Sequence, residues 1–116
     1  TGGKIYIYSG AGLTAGIASS DLVPSGFTLS QNFPNPFNPN TEIAYEIPQE
    51  GMVSLKVFNM LGQEVSTIVN EIQAPGAHNV SWGGINSRGE MVASGVYSYV
   101  LEVNGSKLTR KMLLMR

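Results

Sequence analysis

The sequence predicts an all-β domain, an antiparallel sandwich of about seven strands preceded by a lone N-terminal strand and a linker. Three observations carry this. Apolar and polar residues alternate with a period of two in successive short runs, and turn signals built on Gly, Pro and Asn separate those runs at sandwich-like spacing. No window of useful length shows the 3.6-residue apolar period of a helix.

Lys4-Ile5-Tyr6-Ile7-Tyr8-Ser9 reads as a short strand of β-branched and aromatic residues. Residues 10–26 form a Gly/Ala/Ser-rich passage closed by Pro24-Ser25-Gly26, which reads as a flexible linker. The domain proper is expected over residues 27–116. Asn32-Phe33-Pro34-Asn35-Pro36-Phe37-Asn38-Pro39 stands apart, because its prolines fix φ and remove the donors a central strand needs. A stiff loop is expected there, with Phe33 and Phe37 available to plug one end of the sandwich.

Thr41 to Ile47 alternates, with Ile43, Tyr45 and Ile47 inward and Glu42, Ala44 and Glu46 outward. Met52 to Asn59 repeats the pattern through Val53, Leu55 and Val57. Asn59-Met60-Leu61-Gly62 is a turn with Gly62 as its positive-φ residue, and Gln63 to Asn70 returns as a strand carrying Val65, Thr67 and Val69 on one face. After a turn at Pro75-Gly76, His78 to Trp82 presents Val80 and Trp82 inward. Residues 83–90 are turn-rich. From Gly95 a terminal hairpin runs to the last residue, closed by Asn104-Gly105, with Tyr97, Tyr99, Leu101 and Val103 on one face.

Composition bounds the function. One domain with a short extension suits 116 residues, and 42% hydrophobic with 13% charged residues opposes disorder. A net charge of −1 advertises neither nucleic acid nor an anionic membrane as partner. Four of the cations fall in the tail, Lys107 and Lys111 on one side of the strand and Arg110 and Arg116 on the other, at solvated, edge-protecting positions. With no cysteine, a disulfide-stapled miniprotein is excluded and the redox compartment stays unread. No apolar run approaches the roughly 20 residues that span a bilayer. Thr1 in place of Met, with no signal-peptide pattern behind it, is expected of a processed product or a piece of a longer protein.

Reaction chemistry finds little to work with. His78 is the single histidine and Asp21 the single aspartate, so neither a nucleophile triad nor a zinc site is expected. The remaining carboxylates are seven dispersed glutamates, without the clustered Asp and Asn of a calcium loop. Gly10, Gly12 and Gly16 imitate a dinucleotide loop, but no amphipathic helix follows them. Trp82, Tyr97 and Tyr99 could form a carbohydrate platform; inward-facing aromatics of a sandwich are more often core. No catalytic residue, cofactor or metal is assigned, and an enzyme is the least favoured class.

Several segments together resemble a known family. Leu29-Ser30-Gln31-Asn32-Phe33-Pro34-Asn35-Pro36-Phe37-Asn38-Pro39 with Thr41-Glu42-Ile43 is similar to the opening motif of C-terminal sorting domains of the type IX secretion system. Val57-Phe58-Asn59-Met60-Leu61-Gly62-Gln63-Glu64-Val65 resembles that family's central hairpin. Gly76 to Trp82, Ala93 to Tyr99 and Lys111-Met112-Leu113-Leu114 continue the match in order. One departure stands out: where the family often has Asp-Gly and a further Asp after the tryptophan, this chain has Gly83-Gly84 and Asn86.

The resemblance implies a seven-stranded immunoglobulin-like sandwich at the end of a larger exported protein. Its partners would be the outer-membrane secretion and sortase-like machinery and a fused N-terminal cargo domain. Its place would be the outer cell surface or the medium, after transit through the periplasm. A related sandwich occurs in the flagellar hook-capping protein, so fold alone does not fix the role. By resemblance, recognition falls on Gly95-Val96-Tyr97 and Lys111-Met112-Leu113-Leu114, with the terminal strand, Lys107 to Met115, presented as an open edge. The rival expectation is a structural subunit of a filament or surface layer, self-associating by donation of the strand holding Ile5, Tyr6, Ile7 and Tyr8.

Overall fold

The computed structural model describes residues 26–116. The expected strand at residues 4–9, with Ile5, Tyr6, Ile7 and Tyr8, and most of the expected linker lie outside the described residues.

The described chain forms seven strands and no helix: β1 (Thr28–Leu29), β2 (Thr41–Ile47), β3 (Gly51–Phe58), β4 (Glu64–Gln73), β5 (Gly76–Trp82), β6 (Gly95–Val103) and β7 (Ser106–Leu114). They build a three-stranded sheet in the order β1-β2-β5 and a four-stranded sheet in the order β4-β3-β6-β7. Every pairing is antiparallel. The expected all-β sandwich is therefore the fold.

The core follows from the period-two pattern. Ile43, Tyr45 and Ile47 of β2, Val53, Leu55 and Val57 of β3, and Tyr97, Tyr99, Leu101 and Val103 of β6 are all buried in one apolar cluster. Asn104 and Gly105 hold φ of 50° and 89°, the left-handed pair a two-residue hairpin requires.

The strand after the Asn59 turn departs from expectation. Val65, Thr67 and Val69 do not share a face: Ser66 and Val69 are buried, Val65 and Ile68 half-buried, and Thr67 exposed. The cause is two bulges. Leu55 pairs with Val69 but Lys56 with Thr67, leaving Ile68 unopposed; Val57 pairs with Ser66 but Phe58 with Glu64, leaving Val65 unopposed. Each extra residue reverses which parity faces the core.

The two ends of the sandwich are distinct. Thr28 pairs with Glu46, so the preceding chain enters where β2 finishes. At the opposite end lie Thr41 paired with Trp82, Phe58 with Ser98, and Gly95 with Leu114. A parallel bridge from Phe37 to Leu114 ties the two sheets together there.

Candidate functional site

The proline loop is built on Asn32. Its side chain is buried, donating from Nδ2 to Thr41 Oγ1 at 2.9 Å and to the Pro34 carbonyl at 3.2 Å. The Thr41 hydroxyl in turn donates to that same carbonyl at 2.9 Å. Tyr99, reaching from β6, accepts from the Asn32 N–H at 2.8 Å and donates to the Ser30 carbonyl at 2.7 Å. Burial pushes the Tyr99 phenol up, with the Asn32 N–H and the Arg110 charge opposing.

Only one of the two phenylalanines plugs the sandwich. Phe37 is 1% exposed, with its ring 5.9 Å from that of Trp82, whereas Phe33 is 79% exposed. The reason is register. Phe33 exchanges both backbone hydrogen bonds with Glu42, an outward residue of β2, so its ring is carried to the outer face. There it walls an open cleft of about 690 Å3 whose floor includes Ala44 and Ser81. Pro34, Asn35, Pro36 and Asn38 are exposed and Pro39 is half-buried.

The terminal strand is not an open edge along its final part. Asn35 Oδ1 accepts from the Leu113 N–H at 3.0 Å, and the Phe37 N–H donates to the Leu113 carbonyl at 3.0 Å. The Met115 N–H reaches the Phe37 carbonyl at 2.9 Å, and Gln31 Nε2 donates to the Lys111 carbonyl at 2.6 Å. The proline loop thus covers the edge as a partial fifth strand, a common means of protecting exposed ladders. No local signal in the sequence places that loop beside β7.

The residues matched to the terminal motifs divide accordingly. Tyr97, Met112 and Leu114 are core, while Val96 and Lys111 are exposed and Gly95 and Leu113 half-buried. Arg110 and Arg116 are exposed, as expected, and each also bonds backbone carbonyls. Arg110 Nε donates to the Leu29 carbonyl at 2.6 Å. Arg116 donates from Nε to the Val92 carbonyl at 2.6 Å and from Nη2 to the Gly84 carbonyl. Arg116 also opposes, by its charge, the upward shift that burial gives the Tyr97 phenol.

Two turns at this same end have one construction. Asn59 Oδ1 accepts from the N–H groups of Leu61 and Gln63 at 2.9 and 3.0 Å, and Asn59 Nδ2 donates to Gln63 Oε1 at 2.8 Å. Backbone bonds Gly62 N to Asn59 O and Asn59 N to Gln63 O, both 3.0 Å, close the turn. In the loop before β6, Asn86 Oδ1 accepts from Arg88 and Glu90 at 2.9 and 3.0 Å, and its Nδ2 donates to Glu90 Oε1 at 3.0 Å. The same two backbone bonds recur, Gly89 N to Asn86 O at 3.0 Å and Asn86 N to Glu90 O at 2.8 Å. Gly62 and Gly89 sit at matching φ of 83° and 81°. Asn86 therefore stabilises its turn with its carboxamide oxygen.

Trp82, Tyr97 and Tyr99 are all buried, so they form no carbohydrate platform. The Trp82 indole N–H donates to the Ile85 carbonyl at 2.8 Å. His78 stacks on Tyr45 at 5.3 Å between ring centroids and contacts the Ala74 carbonyl through Nε2 at 2.7 Å, a structural strand position. Among the described residues no three His, Cys, Asp or Glu side chains gather, and no helix is long and apolar enough to cross a membrane.

With this geometry in place, the chain can be set beside known proteins. Residues 40–107 match the family model described as the FlgD Ig-like domain, which is more than half of the chain. The chain belongs to the FlgD Ig-like domain family. Two solved structures share the fold of this FlgD Ig-like domain. One is PorZ, described as an essential bacterial surface component of the type-IX secretion system of Porphyromonas gingivalis; identity is 19%, the TM-score 0.53, and the match covers 78% of this chain and 12% of PorZ. The other is dimeric latent PorU from the same organism, at 14% identity and a TM-score of 0.59, covering 87% of this chain and 10% of PorU. The FlgD Ig-like domain described here thus corresponds to about a tenth of either protein's length. No curated protein matches the chain.

Proposed function

We propose that this chain is a sorting module, recognised by the type IX secretion machinery through protein–protein contact at one end of the sandwich. The observation that carries the reading is convergence. The proline loop, the Asn59 turn, the Gly95-Val96-Tyr97 entry and the Lys111–Leu114 segment are far apart in sequence and meet at a single end. Chain entry is at the other end, through Thr28 paired with Glu46. A cargo tethered there leaves the converged end clear for a receptor.

The fold shared with PorZ supports this setting, as do the sequence motifs. On this reading the partners are the outer-membrane translocon, a sortase-like peptidase and an N-terminal cargo, and the destination is the cell surface or medium. The module works by binding; turnover plays no part.

The test fuses a fluorescent reporter ahead of the full 116-residue chain, behind a periplasmic export signal. It is expressed in a bacterium with a working type IX system and in an isogenic strain lacking the translocon. Surface or extracellular reporter only in the first strain is the expected result. Periplasmic retention in both strains overturns the proposal.

A further inference from the structure

Turns that hold large apolar side chains in water need a reason, and the Asn59 turn does so with two. Met60 is 79% exposed and Leu61 83% exposed, at the tip of the β3–β4 hairpin. Singly scattered apolar residues on a surface are ordinary. These two are adjacent, and five hydrogen bonds fix the turn that carries them.

The Asn86 turn is an internal control. It makes the same five bonds with the same glycine geometry, yet carries Ser87 and Arg88 where the first turn carries Met60 and Leu61. Polar side chains therefore satisfy this turn fully. Nothing in its folding asks for methionine and leucine.

The surroundings define what fits. On one side of the turn that carries Met60 and Leu61, a cleft of about 450 Å3 lies between Asn59, Gln63 and Glu64 and the Asn86 turn, and is lined by Arg88. On the other side, a cleft of about 260 Å3 runs to Val96 and Lys111. Arg88 and Lys111 are exposed and make no ion pair among the described residues. The nearby carboxylates are occupied: Glu64 faces Lys56 at 3.6 Å, and Glu90 accepts from Asn86. An apolar tip on a turn flanked by two grooves, each lined by an unpaired cation, is complementary to an apolar pocket rimmed by carboxylates.

We infer that the Met60–Leu61 turn is a preorganised docking knob that inserts into an apolar, acid-rimmed pocket of a receptor protein, with Arg88 and Lys111 meeting the rim. This deepens the sorting proposal and rests on it. A rigid, convex tip suits a concave protein site, because little conformational entropy is lost when it is buried. Two apolar side chains at the centre with charges at the margin is also the usual distribution of binding energy across an interface.

The test uses the reporter fusion above with the full chain. Variants are Met60→Ser/Leu61→Ser, Arg88→Glu/Lys111→Glu, and Met52→Ser/Ile72→Ser as an exposed apolar control toward the opposite end. Thermal unfolding of each purified chain establishes folding. The expected result is a fall in export of at least about tenfold for each of the first two, since 1.4 kcal/mol of lost binding suffices for a factor of ten. The control exports normally, and all unfold at the wild-type temperature. Normal export of Met60→Ser/Leu61→Ser while the parent is exported overturns the knob and leaves the sorting proposal standing; retention of the parent overturns both. Binding of the purified chain to phosphatidylglycerol vesicles that is lost in Met60→Ser/Leu61→Ser would assign the tip to a lipid surface. A concentration-dependent dimer in sedimentation, lost in that same variant, would assign it to a second copy. Either outcome also overturns the receptor assignment.

Discussion

Tyr99 and Asn32 lie 67 residues apart, and the Asn32 N–H donates to the Tyr99 hydroxyl at 2.8 Å in a buried contact. The same hydroxyl donates to the Ser30 carbonyl at 2.7 Å. One phenol on a central strand thus satisfies a donor and an acceptor at the start of the proline loop, where neither has a sheet partner. Its contribution extends beyond packing.

Tyr99→Phe keeps the ring and removes the oxygen. Leaving a buried N–H unsatisfied costs about 1–3 kcal/mol. The variant is expected to lose that much in urea denaturation with an unchanged m-value, and to be cleaved faster by protease within residues 32–39. Wild-type stability for Tyr99→Phe would show that water replaces the hydroxyl without loss.

Phe33 and Phe37 share one Asn/Pro-rich loop and are opposite in environment, so truncating them separates plug from surface. Phe37→Ala empties a fully buried site against Trp82 and is expected to destabilise by about 3–5 kcal/mol. Phe33→Ala removes an exposed ring and is expected to change stability by no more than about 0.5 kcal/mol. Denaturation midpoints for the two single variants decide it, and equal losses would contradict the register that carries Phe33 outward.

Three phenols link stability to alkaline pH. Tyr45, Tyr97 and Tyr99 are each raised above the ordinary value of 10.0, with burial as the leading cause. A neutral phenol that holds its proton more tightly folded than unfolded adds stability that is complete below pH 10 and is lost as pH rises from there through the folded value. The unfolding midpoint is expected to be flat approaching pH 10 and to fall beyond it, with phenolate absorbance from these residues appearing together with unfolding. Phenolate formation at full cooperative stability would contradict the linkage.

Much of this fold was legible because period-two alternation is a direct record of a half-buried sheet. In β2, β3 and β6, each apolar position read as inward is buried or packed on the core. Asn104-Gly105 and Gly62 were legible for a steric reason, since few residues accept positive φ. What stayed hidden was non-local. The bulges at Val65 and Ile68 arise from how β4 lies against β3, and nothing in residues 63–70 marks them. The covering of β7 by the proline loop depends on Asn35 and Phe37 meeting Leu113, a contact across 78 residues in the case of Asn35. The shared turn construction also stayed hidden: residues 83–90 read only as turn-rich, and the hydrogen bonds reveal that Asn59 and Asn86 build one device.

That covering contact changes how a truncation has to be interpreted. Removing residues 113–116 deletes the fully buried Leu114, for which loss of a leucine side chain alone costs about 2–5 kcal/mol. It also strips the Phe37 backbone of both its partners and frees the carbonyls of Gly84 and Val92 from Arg116. Set against a typical domain stability of about 5–15 kcal/mol, these losses leave little folded protein. The truncated chain is expected to lose its cooperative thermal transition, so a secretion defect in it would report unfolding rather than a missing signal. Lys111→Glu, at an exposed side chain, is expected to melt within a few degrees of the parent and is the cleaner probe of recognition. A truncated chain that unfolds cooperatively near the parent's temperature would mean that the last strand adds less to the sandwich than its burial implies.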